Sequence, residues 1–143
     1  MGTAVHYLEV NVPTDHAYSW WRGLTNLPAI MPEVQSVDQG DNPQLTRWQV
    51  RTRSGATVEC LAKITEDVPN QRIAWRRLDE QDAGIPSSGM VRFDDHGRTT
   101  GVEVSLQYAG QRPDPQQRVE RTLNEFKRTI ESAPPEHRSV ERI

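Results

Sequence analysis

The chain predicts an α+β fold built on one antiparallel sheet: seven strands, two short helices after the first strand, and a long C-terminal helix. Three observations point there. Between Val34 and Tyr108, apolar residues recur at every second position in short runs separated by Gly, Pro, Asn and Asp, the pattern of half-buried strands joined by turns. Before that, the stretch VNVPTDHAYSWWRGLTNLPAIMPEVQSV, from Val10 to Val37, inserts an aromatic helical pattern bounded by prolines. Beyond Asp114 the apolar period becomes helical and stays so for about five turns.

Taken in order, Ala4, His6, Leu8, Val10 and Val12 share one side of a period-two pattern and Tyr7, Glu9 and Asn11 the other, so a first strand is expected from Ala4 to Val12. Pro13 ends it. Thr14 or Asp15 offers an oxygen to the open amides of a helix running roughly from Asp15 to Arg22, on which Ala17, Trp20 and Trp21 recur. Leu24, Leu27, Ile30 and Met31 continue an apolar face around Pro28 and before Pro32, as a second short helix or turn would.

The second strand is expected from Val34 to Val37 with its turn at Gly40 to Pro43, and Trp48 and Val50 mark the third before Ser54-Gly55. Val58, Cys60, Ala62 and Ile64 alternate with Glu59, Leu61, Lys63 and Thr65 as a fourth strand. Val68-Pro69-Asn70 turns into a fifth, Arg72 to Arg77, with Ile73 and Trp75 on one face. A loop from Asp79 to Ser88 leads to a sixth from Gly89 to Phe93. Asp94 to Arg98 then turns into the last strand, where Val102, Val104, Leu106 and Tyr108 alternate with Glu103, Ser105 and Gln107. Asp114-Pro115 starts the final helix, Asp as a cap and Pro at the first position. Its apolar face is Val119, Leu123, Phe126 and Ile130; about 19 residues give roughly 28 Å before Pro134-Pro135 stops it. Residues 1–133 are thus expected to form one domain and 134–143 a flexible tail.

Composition limits the function classes. The 143 residues, 34% hydrophobic and 26% charged, suit a single domain with a modest core and a polar surface. A net charge of -3 gives no general drive toward nucleic acid. A lone cysteine, Cys60, excludes an internal disulfide and fits a reducing compartment, the cytoplasm being the simplest. No segment approaches the ~20 apolar residues of a membrane span. His6, His16, His96 and His137 lack metal-ligand spacing, and no phosphate-binding loop, dinucleotide fingerprint or nucleophile elbow occurs. No metal or other cofactor is expected, and the oligomeric state stays open.

The order of elements and the residues themselves resemble the polyketide cyclase/dehydrase group of the SRPBCC (START-related) superfamily. The landmarks are V-x-V-P followed by A-Y-x-x-W at Ala17 to Trp21, N-L-P-A-I-M-P-E-V at Asn26 to Val34, R-W-x-V at Arg47 to Val50, and I-T-E-D-V-P-N-Q-R-I-A-W-R at Ile64 to Arg76. S-G-M-V-R-F at Ser88 to Phe93, the strand ending at Tyr108, and L-N-E-F-K-R-T-I-E at Leu123 to Glu131 extend the likeness over nearly the whole chain. The resemblance implies a helix-grip fold, a curved sheet around the C-terminal helix, with a cavity between them that commonly receives hydrophobic small molecules. It does not imply one chemistry, since the group includes cyclases, carriers and receptors. One departure is the short AGQRPDP segment after Tyr108, where similar proteins often carry a longer glycine-rich one, so the mouth of a cavity would be shaped differently.

Alternation then turns His6, Trp48, Cys60, Trp75, Val91, Phe93 and Tyr108 toward that cavity, joined by Trp20 from the first helix and Phe126 and Ile130 from the last. The leading expectation is binding of a polyketide-like, lipid or isoprenoid molecule by this mostly apolar set. A rival is a cofactor-independent cyclase or dehydratase, with His6 moving a proton and Tyr108 polarising a carbonyl. A third is a protein-interaction module using aromatic surface around Trp20. For each residue core packing competes with a functional role, most strongly for Cys60, which has no nearby activating histidine. Arg76 and Arg92 are expected to face outward, and Arg77 is ambiguous at its strand end.

Overall fold

In the computed structural model, which describes residues 2–42, 44–52, 54–78, 86–108 and 115–132, the chain forms β1 (Gly2–Val10), α1 (Thr14–Trp21), and two 3-10 turns (Arg22–Leu24 and Leu27–Ala29). It continues as β2 (Val34–Gln39), β3 (Leu45–Arg51), β4 (Thr57–Val68), β5 (Arg72–Arg77), β6 (Ser88–Asp95), β7 (Thr100–Tyr108) and α2 (Pro115–Glu131). The described strands form one seven-stranded antiparallel sheet of order β1-β7-β6-β5-β4-β3-β2. β2 to β7 is a meander of neighbours, and β1 is added at its far edge beside β7.

This is the predicted α+β helix-grip architecture, with local departures that have physical causes. β1 ends at Val10, two residues before the expected limit, because Asn11 N–H leaves the ladder for Glu131 Oε2 at 2.7 Å. Thr14 does not cap α1. Its hydroxyl bonds Thr100 Oγ1 at 3.0 Å, and since Thr100 donates to the Val12 carbonyl (2.8 Å), Thr14 is the donor. The expected second short helix or turn is a pair of 3-10 turns, the first of which follows α1 directly and carries left-handed backbone at Gly23 and Leu24 (φ 77° and 64°). β4 runs on to Val68 through a bulge between Ile64 and Glu66, a feature that simple alternation does not register. Residues 109–114, which hold Asp114 and all of the AGQRPDP segment but its last proline, lie outside the described residues, as do Pro134-Pro135 and the expected tail.

α2 buries Val119, Thr122, Leu123, Phe126 and Ile130 and packs chiefly against β1. Its polar residues serve the same contact. Gln116 Nε2 donates to the Val5 carbonyl at 2.8 Å and Lys127 Nζ to the Glu9 carbonyl at 2.9 Å, so α2 satisfies edge groups that a neighbouring strand would otherwise pair. Under the helix, Trp21 and Trp75 stack at 6.3 Å between ring centroids, and Phe126 contacts Trp21 at 5.3 Å and Trp20 at 4.9 Å. Trp75 lies flat across β6 only because residue 89 is glycine: a Cβ there would sit 2.3 Å from Trp75 Cζ2.

Candidate functional site

The feature best placed to receive a ligand is a cleft where the N-terminal half of α2, the residues after the second 3-10 turn, and the end of β7 meet. It holds about 360 Å³ free of protein atoms, its solvent-open part included, and the centre of a water molecule can move through about 30 Å³ of it. Pro28 starts the turn, and the Ile30 and Met31 amides donate to the Leu27 carbonyl at 3.0 and 2.9 Å, which fixes both side chains as an apolar wall opposite Leu106. Pro32 then frees the chain to enter β2, and the Arg51 amide anchors the Glu33 carbonyl at 2.8 Å.

The other wall is charged. Arg118, Arg121 and Thr122 fall three and four residues apart on α2, hence on one face. Arg118 Nη1 donates to Glu33 Oε2 at 2.7 Å, closing the cleft between helix and turn with a half-buried ion pair. Arg118 Nε is buried and has no hydrogen-bond partner among the described residues. Tyr108, 4% exposed, completes the lining at the end of β7.

Of the residues expected from sequence, Tyr108 lines the cleft, while Trp48, Cys60, Trp75, Val91, Phe93, Phe126 and Ile130 belong with it to one buried core and Trp20 packs against that core. Trp20, Trp75 and Phe126 share the aromatic cluster with Trp21, and Ile130 is buried one turn further along α2. Trp48 and Cys60 are cross-strand partners in β3 and β4, both 1% exposed, with Trp48 Nε1 donating to Thr46 Oγ1 at 2.8 Å. Val91 is fully buried beside Ile73, and Phe93 meets Tyr18 edge-on at 6.1 Å. His6 is half-buried on the face of β1 beneath α2 and pairs with Val104, four residues before Tyr108 on the same strand, so roughly 13 Å of sheet separates them. The register does not bring His6 and Tyr108 to one reacting atom. Arg76 and Arg92 face outward, Arg92 paired with Glu103 at 3.1 Å, whereas Arg77 is buried on the inner face.

Glu33 and Arg118 were missed at the sequence level because their pairing spans 85 residues and neither sits in an apolar pattern. A second, wider hollow is lined by Arg22, Gly23, Thr25, Gln39, Ile64 and Asp67. Its charges are already engaged: Tyr18 donates its hydroxyl to Asp67 and Arg22 Nε lies 4.0 Å from the same carboxylate. Burial, then the Asp67 hydrogen bond and charge, push the Tyr18 phenol up to about 12, so it remains neutral at physiological pH. Among the described residues no three His, Cys, Asp or Glu side chains converge as a metal-binding group.

This chain belongs to the family described as polyketide cyclase/dehydrase and lipid transport, whose model matches residues 10–130. It is similar to a crystal structure of a Deinococcus radiodurans protein, with 33% identity, a TM-score of 0.74, and coverage of 93% of this chain and 99% of that one. An uncharacterised 17.2 kDa protein of Streptomyces lincolnensis is 33% identical over 93 residues, which span 62% of this chain and 59% of that protein's length. An aromatase/cyclase from a Streptomyces species shares the fold at 19% identity and a TM-score of 0.59, covering 92% of this chain and 90% of that one. Among the described residues no helix is long and apolar enough to cross a membrane.

Proposed function

We propose that this protein binds a hydrophobic small molecule between the sheet and α2, with entry through the cleft beside Tyr108. The observation that carries the reading is the cleft itself: Ile30, Met31 and Leu106 give it an apolar lining continuous with the buried core, and its charged lining is limited to Arg118 and Arg121 on α2 and Glu33 just before β2. Sites for small apolar ligands have this composition, a greasy lining with a few polar anchors. The family description, which names both cyclase/dehydrase activity and lipid transport, supports the same ligand class. Binding takes precedence over cyclisation by His6 and Tyr108 because the register separates that pair. The lone cysteine, Cys60, buried and reduced, suits a cytoplasmic carrier.

The space now open is small, so a ligand must displace side chains at the Ile30–Glu33 wall. The test is titration with 2-ethylnaphthalene, followed by tryptophan fluorescence, since Trp20, Trp21 and Trp75 lie in the adjoining core. Saturable quenching is expected, and Thr122→Trp, which fills the cleft from α2, should abolish it while the circular dichroism spectrum stays native. Absence of saturable binding of both this probe and its carboxylate counterpart, 2-naphthoate, to the wild-type protein overturns the reading.

A further inference from the structure

The spare hydrogen-bonding capacity around this interior has one chemical sense. Trp21 Nε1, Trp75 Nε1 and Arg118 Nε are buried and lack partners among the described residues, and all three are N–H donors. A buried donor without an acceptor is costly, and such groups ordinarily meet an oxygen. Trp75 connects the core to the cleft: its Cε2, the carbon bonded to Nε1, lies 2.7 Å from where a Gly89 Cβ would be, and Gly89 pairs with Leu106 of the cleft wall. Arg118 and Arg121 both line the cleft, and Glu33, paired with Arg118, is the one carboxylate residue among its described lining residues, which leaves an excess of positive charge there.

We propose, resting on the binding function above, that the ligand is an apolar, oxygen-bearing acid whose carboxylate or equivalent oxyanion seats on Arg118 at the cleft mouth. Plain hydrocarbon chains and unfunctionalised isoprenoids lack the acceptor that these donors require. A carboxylate suits a guanidinium geometrically, since both are planar and can form parallel N–H···O bonds. Glu33 is then the internal competitor: it holds Arg118 Nη1 at 2.7 Å, and the ligand's oxyanion takes the unpartnered Nε and competes for the rest of the fork. The ion pair is part-exposed, 30% and 24% for the two side chains, so it can open without burying a bare charge.

The test compares two probes of similar size, 2-naphthoate and 2-ethylnaphthalene, on the wild-type protein and on Arg118→Gln and Glu33→Gln. In the wild type, 2-naphthoate should bind about tenfold or more tighter, the worth of one charge-assisted hydrogen bond. Arg118→Gln should bring the affinity ratio of the two probes close to one, whereas Glu33→Gln, by removing the competitor, should raise it several-fold. A merely structural ion pair would make both variants shift the ratio alike, and that result, or equal affinities in the wild type, overturns the proposal. Equal binding leaves the hydrophobic-ligand reading standing; binding of neither probe removes the reading and the proposal together.

Discussion

Tyr18 joins α1 to β4 through Asp67, and its consequences can be measured at alkaline pH. With the phenol pushed up to about 12 in the folded protein, the unfolded chain releases this proton first. Stability from the group is therefore fully present below the ordinary tyrosine value of 10.0 and is lost as pH rises from there through about 12. Ultraviolet titration should show a tyrosinate transition near that upper value that disappears in Tyr18→Phe. Gly89 offers a second single-residue test. An alanine methyl would sit 2.3 Å from Trp75 Cζ2, so the indole or the β6 backbone must shift, costing about 1–3 kcal/mol of stability in urea unfolding. At this scale the sequence was only partly informative. The inward direction of Trp48, Cys60 and Trp75 followed from alternation; the Thr46 hydroxyl that satisfies Trp48 sits two residues away on the same strand, whereas the orphaned state of the Trp75 N–H depends on neighbours brought by other elements.

Among the elements, α2 shows how one helix does two jobs. Its apolar residues, spaced at helical period, were legible as a core face, but the roles of Gln116, Lys127 and Glu131 were not, because their partners are backbone groups of β1 and the residue after it, over 100 residues away. Replacing both edge donors, Gln116→Ala with Lys127→Ala, should expose the Val5 and Glu9 carbonyls and cost roughly 1–2 kcal/mol. Sedimentation at increasing concentration should then show more self-association through β1 than the wild type shows. Glu131 gives the acid counterpart. Burial works to raise its pKa, but the Lys127 ammonium and the Asn11 amide outweigh it and hold the carboxyl below its ordinary 4.5. The stabilisation is present above 4.5 and is lost as pH falls through the depressed folded value. Glu131→Gln should accordingly be less stable than wild type at neutral pH, and the gap in urea midpoints should close as the pH falls below 4.5 through the depressed folded value. The second predicted helix became two 3-10 turns because left-handed backbone at Leu24, a residue with no visible turn signal, breaks the helical path.

For the whole molecule, strand order and helix placement were readable because a period of two interrupted by turn residues leaves few alternatives to a meander. The ligand site was less readable, since the cleft is assembled from the Ile30–Glu33 segment, the end of β7 and one face of α2, elements that meet only after the sheet has formed. The placement of β1 beside β7 also governs how the protein is made. Val10 pairs with Thr100 and Gly2 with Tyr108, so during synthesis the first strand emerges and then waits while about 90 further residues are translated before its partner exists. The meander from β2 to β6 can assemble hairpin by hairpin as it leaves the ribosome, but the sheet cannot take up β1, nor the helix find its floor, until the residues from Thr100 onward have been translated. Nascent chains truncated before Thr100 should thus expose an unpaired β1, making the interval before β7 emerges the period in which a chaperone matters most to this protein.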